Sequence, residues 1–152
     1  MNEIRPRAPQ QGRGHPTFWT PLFLAWLLAL LATAGALFLG EAMGNTPCVL
    51  CWYQRIAMFP LVLVIGMGLF TSDPRGARYA LPLAGVGWGI AAYHLMVFRG
   101  VVSEGLVPCG QGSSCTDVDA QVAGLVPIPL LSLAAFTGIL VLLWFSMRRA
   151  KA

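Results

Sequence analysis

The chain has 152 residues, of which 57% are hydrophobic and only 11% are charged, and this composition excludes an ordinary soluble domain. The formal net charge of +4 comes from basic residues that flank apolar runs. That pattern indicates membrane topology and not a surface for nucleic acid.

Four charge-poor runs give the predicted elements. A bilayer core needs about 20 residues of helix, and three of the runs reach that length by themselves. The run at 56–71 reaches it only if residues 52–55 form its outer end. The sequence therefore predicts an all-α, four-helix transmembrane bundle, with helices at about 18–40, 52–71, 79–98 and 127–147.

The basic residues predict the orientation of these helices. Of the ten Lys and Arg residues, only Arg55 and Arg99 fall on one side of the predicted membrane. Basic residues mark the cytoplasmic side, so both termini are expected inside and the loops at 41–51 and 99–126 outside. The remaining basic residues are Arg5, Arg7, Arg13, Arg75, Arg78, Arg148, Arg149 and Lys151.

The two ends of the chain are expected to be cytoplasmic tails. Residues 1–17 are rich in Arg, Pro, Gly and Gln, which predicts disorder, and residues 148–152 form a short basic tail. An alternative for the first run is a signal peptide, with residues 22–31 as its apolar region and A-T-A at 32–34 as its cleavage site. The apolar run continues to Leu39, however, which favours a spanning helix.

Two weaker patterns concern packing and the second outer loop. Val118, Val122 and Leu125 recur at helical spacing, which predicts a short interfacial helix in that loop. In the third run, Gly85 and Gly89 form a small-xxx-small pair that would allow close helix packing, although glycine is also common in membrane helices generally.

The first outer loop leads into the stretch C-V-L-C-W-Y-Q-R at 48–55. If a helix begins near Cys48, then Cys48, Cys51 and Arg55 lie on one face. A helix N-terminus carries unpaired N–H groups and partial positive charge, which favour a thiolate over a thiol. Arg55 adds a permanent cation on the same side. The pattern predicts a redox-active dithiol beside a site for a second anion.

His94 lies five residues before Arg99, at a depth comparable to that of Arg55. An ionisable residue inside a membrane run is a candidate for function, because burying it in an apolar medium is costly. A histidine that simply bonds to a neighbouring helix is the competing interpretation.

Cys109 and Cys115 lie in the second outer loop, with glycine and serine between them, so a redox relay is one interpretation of the four cysteines. C-x-x-C haem attachment is excluded, because Trp52 stands where histidine is required. Structural disulfides would persist in an oxidising outer compartment, but a seven-residue ring contributes only about 2.4 kcal/mol. A zinc site from the two cysteine pairs is geometrically possible, although the outer location argues against it.

The motif at 48–55, the four predicted helices and the second cysteine pair together resemble the DsbB family of disulfide-bond formation proteins. The stretches V-P-C at 107–109 and P-I-P-L-L-S-L-A-A-F at 127–136 more closely resemble its BdbC-type branch. The resemblance covers about residues 20–147. It departs from the best-studied branch in one respect, since only five residues separate Cys109 from Cys115, and this favours a compact hand-off over large loop movements.

The resemblance implies electron transfer from a secreted, thioredoxin-fold oxidase of the DsbA or BdbD kind to a membrane quinone, either ubiquinone or menaquinone. It implies a bacterial cytoplasmic membrane protein with its active cysteines on the outer face. By the resemblance, Cys109 would be attacked by the partner's thiolate. Position in the chain predicts the other two roles: Cys48 is expected to face the aqueous loop and exchange with the loop pair, whereas Cys51, deeper and nearer Arg55, is expected to meet the quinone. Arg55 and His94 would lie beside the quinone, and no metal is implied.

Overall fold

The computed structural model describes residues 18–42, 47–102, 121–122 and 126–151. Within them the chain forms four long helices, and a five-residue π-helix, Phe38–Ala42, continues the first. Two short strands, β1 (Gln121–Val122) and β2 (Val126–Pro127), pair antiparallel just before the last helix. The helices are α1 (Trp19–Leu37), α2 (Val49–Phe70), α3 (Arg75–Phe98) and α4 (Ile128–Lys151).

All four helices are long and apolar enough to cross a membrane, with mean hydropathy between 1.5 and 2.4 over their best windows. Large apolar side chains cover the outside of the bundle, among them Phe70 at 88% exposure and Leu63 at 69%. Such a surface is stable only against lipid, because a soluble protein rarely exposes apolar patches of this extent. The prediction of a four-helix transmembrane bundle is confirmed.

Each helix packs against two others, so the bundle closes as a ring in which α1 contacts α2 and α4, and α3 contacts the same two. Small residues fill many of the buried positions, including Ala25, Ala29, Ala80 and Ala84, each fully buried. Small side chains let helix backbones approach closely, which drives helix association in lipid. Leu61, Ile65, Phe136 and Ile139 occupy the larger spaces between them.

Glycines set two close contacts of α3. A Cβ atom at Gly87 would collide with the Phe136 ring of α4, and one at Gly76 would lie 2.7 Å from the Gly68 Cα of α2. The glycines singled out from the sequence, Gly85 and Gly89, have open space where a side chain would be. The close contact between α3 and α4 is therefore made by Gly87, which lies between Gly85 and Gly89.

Three helix ends differ from the sequence prediction. Helix α2 begins at Val49 and not near residue 52, because Cys48 caps its N-terminus. Helix α3 begins at Arg75, directly after Pro74, whose fixed φ suits a helix start. Helix α4 continues to Lys151, so the predicted basic tail is helical up to that residue.

The prediction of an interfacial helix is wrong at Gln121–Val122, which form a strand paired with Val126–Pro127. Proline disfavours the helical region for the residue before it, so Pro127 keeps Val126 extended. Val118 and Leu125, and the predicted N-terminal tail at 1–17, lie outside the described residues.

We expect Gly87→Ala to destabilise the bundle by about 1–3 kcal/mol, because the new methyl group collides with the Phe136 ring. Gly85→Ala is the matched control two residues away. It adds the same methyl group into open space and should be neutral or stabilise by up to about 1 kcal/mol through helix propensity. Unfolding in mixed micelles measures both variants, and equal effects would contradict the proposed packing.

Candidate active site

The N-terminus of α2 positions the two thiols. Cys48 has extended backbone (φ −65°, ψ 164°), and its sulfur accepts a hydrogen bond from the Cys51 N–H at 3.3 Å. Its carbonyl accepts the Trp52 N–H at 3.0 Å. Cys48 thus caps the helix as serine or threonine often does, and this cap brings the two sulfurs into the first turn.

The two sulfurs lie 2.9 Å apart, and the Cys48 S–H donates to the Cys51 sulfur. Cys48 is 7% exposed and Cys51 is half-buried, so Cys51 is the more accessible of the two. This is contrary to the expectation that Cys48 faces the aqueous loop. Both cysteines are in the reduced, thiol form in this structure. Two sulfurs this close can join as a disulfide after a small rotation, which is the arrangement a redox pair requires.

Cys48 precedes the first membrane-spanning residue of α2. Its hydrogen bond to the Cys51 sulfur, followed by burial, raises the pKa of the Cys48 thiol to about 12, although His94 and the Cys51 N–H act in the opposite direction. In the reduced pair, Cys48 therefore keeps its proton at neutral pH. Any reaction that uses Cys48 as a nucleophile needs a group to accept that proton.

His94 of α3 is the group placed to do so. Its ring is 1% exposed, and Nε2 lies 3.7 Å from the Cys48 sulfur. The nearest atoms of Cys48, Cys51 and His94 that could bind a metal all lie within 4.8 Å of one another. The structure thus unites three of the residues singled out from the sequence, although they come from two helices.

Gln54 completes this group and was missed by the sequence reasoning. Its side chain is 7% exposed, and Nε2 lies 3.1 Å from His94 Nδ1. If the Gln54 amide N–H donates to Nδ1, the proton of a neutral His94 ring is on Nε2, facing Cys48. If the amide is turned by 180°, its oxygen accepts the N–H of Nδ1, and Nε2 is then without a proton. The sequence did carry a signal for Gln54, which is an amide six residues after Cys48 in a predicted membrane helix. A buried amide needs a polar partner, so a role beside another polar residue could have been predicted.

Arg55 reaches towards α1. Its Nη2 donates to the Ala36 carbonyl at 2.6 Å, and its guanidinium lies 5.6 Å from the Trp52 ring. Gly40 makes room for it, since a Cβ there would lie 2.8 Å from Nη2. A cation is favourable at the C-terminal end of a helix, where carbonyls carry partial negative charge. Arg55 therefore contributes positive charge on the α1 side of the dithiol.

A separate apolar groove of about 320 Å³ opens on the other side of α2, between that helix and α3. It touches the dithiol region through Ile90, which also packs against the cluster of Cys48, Leu50 and Val97. The groove therefore lies on the α3 side of α2, whereas Arg55 reaches towards α1. The groove is lined by Tyr53, Ile56, Ala57, Pro82, Leu83, Val86 and Ile90.

Cys109 and Cys115, predicted as the second redox pair, lie outside the described residues. Their part in the site stays a prediction from the sequence.

Comparison with known proteins gives consistent matches. Residues 18–146 match the family described as disulfide bond formation protein DsbB. A probable disulfide formation protein of Metapseudomonas resinovorans is 43% identical over 132 residues, covering 86% of this chain and 92% of the relative. Disulfide bond formation protein C of Bacillus subtilis is 38% identical over 120 residues, covering 79% and 87%. No solved structure matches this chain.

We expect Gln54 and His94 to act as one unit in stability. Gln54→Leu leaves His94 Nδ1 buried without its partner and should cost about 1–3 kcal/mol of unfolding free energy. The double variant Gln54→Leu with His94→Leu should lose less unfolding free energy than the sum of the two single losses, by about 0.5–3 kcal/mol. The measurement is a double-mutant cycle in mixed micelles.

The control for this cycle pairs Gln54→Leu with Trp88→Phe. Trp88 bonds to Thr137 of α4 and has no contact with Gln54 among those the structure records, so these two changes should add. Additivity in the His94 cycle as well would contradict a direct Gln54–His94 interaction.

Proposed function

The chain belongs to the DsbB family of disulfide bond formation proteins, and on that premise we propose that it is a thiol:quinone oxidoreductase that reoxidises an extracytoplasmic, thioredoxin-fold thiol oxidase. The observation that carries the proposal is the close dithiol, with a buried imidazole beside it, at the end of a membrane-spanning bundle. A dithiol there can exchange with a protein disulfide on one side and meet a lipid-soluble acceptor on the other.

We place the protein in the bacterial cytoplasmic membrane with both termini inside. Helix α3 begins with Arg75 and α4 ends with Arg148 and Arg149 in its last turns, and these basic residues favour the cytoplasm. The N-terminus of α2 then lies at the outer face, where oxidising conditions allow disulfides to form.

The electrons move in balanced steps. The partner's dithiol reduces the Cys109–Cys115 disulfide and becomes a disulfide itself, and the loop dithiol then reduces Cys48–Cys51. The Cys48–Cys51 dithiol would then lose two electrons and two protons and become a disulfide again, and a bound quinone would be their acceptor. A strongly oxidising partner needs such a sink, because a glutathione pool is too reducing to recharge it.

Because His94 lies beside Cys48, the two membrane-side thiols have different roles. Cys48 must lose its proton to close the Cys48–Cys51 disulfide, and His94 Nε2 is the base within reach. For Nε2 to act as the base, Nδ1 must carry the ring proton and donate it to the Gln54 side-chain oxygen, with the amide turned by 180°, and this bond persists after the proton reaches Nε2. Cys51, the more exposed of the pair, is left to face the quinone as a thiolate.

The quinone headgroup fits best on the Arg55 side of α2. Reduction places negative charge on a quinone oxygen, and a fixed guanidinium stabilises that charge more than a neutral wall does. The groove between α2 and α3 is lined by apolar residues and Tyr53, so it suits a lipid chain and not a developing anion.

Trapping tests the first transfer. We expect Cys115→Ser to accumulate a mixed disulfide between Cys109 and the thioredoxin-fold partner, because the thiol that would resolve it is gone. Non-reducing electrophoresis followed by mass spectrometry of the linked peptides identifies the bond. Cys109→Ser is the control and should give no adduct. An adduct in Cys109→Ser alone would reverse the two roles, and none in either variant would refute the relay.

A visible charge-transfer band tests the last transfer. Cys48→Ser frees Cys51 from its partner, and a thiolate stacked on an electron-poor quinone absorbs visible light. Purified with quinone and titrated from acid to neutral pH, this variant should develop the band as Cys51 ionises. No band at neutral pH, with bound quinone verified by extraction, would exclude Cys51 as the group that meets the ring.

Three further substitutions in the Cys48→Ser background locate the quinone. Arg55→Ala removes the cation, and Gly40→Ala pushes the guanidinium from its present place while keeping its charge. Both should weaken the band, whereas Val86→Phe, which fills the groove, should leave it unchanged. The reverse pattern would move the headgroup to the groove.

A further inference from the structure

The reduced active site has the composition of a metal centre. Cys48, Cys51 and His94 offer two sulfurs and one imidazole nitrogen within 4.8 Å of one another. This donor set is distinct from the four-cysteine zinc site considered from the sequence, since it takes nothing from the second outer loop. Thiolate and imidazole are the donors that Zn²⁺ prefers in proteins.

Two of the three ligand distances are within about 1 Å of those of a tetrahedral zinc site, and the third, between the Cys51 sulfur and the His94 nitrogen, is at most 4.8 Å. Zinc–sulfur bonds of about 2.3 Å and a zinc–nitrogen bond of about 2.0 Å place ligand sulfur and nitrogen about 3.5 Å apart, and two sulfurs about 3.8 Å apart. Cys48 Sγ and His94 Nε2 are already 3.7 Å apart. The two sulfurs, at 2.9 Å, need to separate by less than 1 Å, which a small side-chain rotation supplies.

Gln54 supplies the support that a zinc-bound histidine needs. A ligating imidazole usually donates its other ring N–H to a fixed acceptor, which orients the ring and strengthens its donor nitrogen. With Nε2 facing the sulfurs, Nδ1 is that other nitrogen, and the Gln54 amide lies 3.1 Å from it. The amide is buried and can present its oxygen to the N–H.

We propose that the reduced chain binds one Zn²⁺ ion through Cys48, Cys51 and His94, and that the bound ion holds the dithiol in its reduced form. Binding displaces the two thiol protons into solution and moves no electrons. The two thiolate charges then neutralise the ion, which suits a site next to lipid. Three protein ligands leave the fourth position for water.

The proposal depends on redox state. A Cys48–Cys51 disulfide has no thiolate to offer, so the oxidised chain cannot form the site. Conversely, two thiolates held by zinc cannot join until the ion leaves. This inhibitory consequence rests on the proposed function, since quinone-dependent oxidation is the step that zinc would block, but the binding itself does not.

The test uses Co²⁺ as a coloured substitute for Zn²⁺. The full-length chain carries Cys109→Ser and Cys115→Ser, so that only Cys48 and Cys51 provide thiols. We expect the reduced protein to bind one Co²⁺ per chain, with sulfur-to-cobalt charge-transfer and tetrahedral d–d bands that Zn²⁺ abolishes. The same protein oxidised beforehand should give neither band.

Variants identify the ligands. Gln54→Leu should weaken metal binding roughly 10- to 100-fold, and His94→Leu should weaken it further because a ligand is lost. His94→Gln removes the imidazole but keeps a polar partner for Gln54, so it serves where the leucine variant does not fold. Trp88→Phe is the control and should bind as the parent does.

Unchanged affinity in the His94 variants, or equal binding by the oxidised chain, would overturn the proposed site. Quinone-dependent thiol oxidation is measured separately on metal-free protein with all four cysteines. A chain that binds zinc but does not reduce quinone would refute the proposed function and leave the metal site standing. A chain that reduces quinone but does not bind zinc would refute the metal site and leave the proposed function standing.

Discussion

The hydrogen bond from the Cys51 N–H to the Cys48 sulfur is the contact on which the site depends. It ends the extended segment at Cys48, begins α2 at Val49 and brings both sulfurs into one helical turn. The remaining contacts of the site depend on the orientation of that turn. His94 reaches Cys48 from α3. Gln54 and Arg55 lie three and four residues after Cys51, about one helical turn further along α2. The Ala36 carbonyl near the end of α1 accepts a hydrogen bond from Arg55.

The polar groups at the start of α2 form a connected chain of contacts, with the Arg55 cation beside it. Gln54, His94 and Cys48 are all buried, and the pKa of the Cys48 thiol is raised to about 12, so that thiol stays uncharged at neutral pH while the site is reduced. This arrangement avoids the cost of a bare charge in an apolar medium. Arg55, which carries a permanent charge, is instead half-buried and satisfied by a carbonyl at a helix end. The site can therefore change its protonation while the surrounding helices keep their packing.

Local patterns predicted much of this molecule. Hydropathy and length identified the four spans, and the spacing of Cys48 and Cys51 predicted that both thiols lie in one helical turn. What the sequence did not reveal depends on which helix faces come together. The contact between Gln54 and His94 joins α2 to α3, and the close packing of Gly87 depends on the Phe136 ring of α4. The spacing of Gly85 and Gly89 carries no information about that partner.

The near contact of Gly68 and Gly76 bears on how the protein is made. These glycines flank the short turn between α2 and α3, so the two helices can associate as a hairpin as soon as α3 has been synthesised, before α4 follows. Gln54 and His94 lie towards the other end of that same hairpin and bond to each other across it. Inserted together, the two helices carry an amide and an imidazole into the bilayer already paired, so neither helix has to desolvate its polar side chain alone.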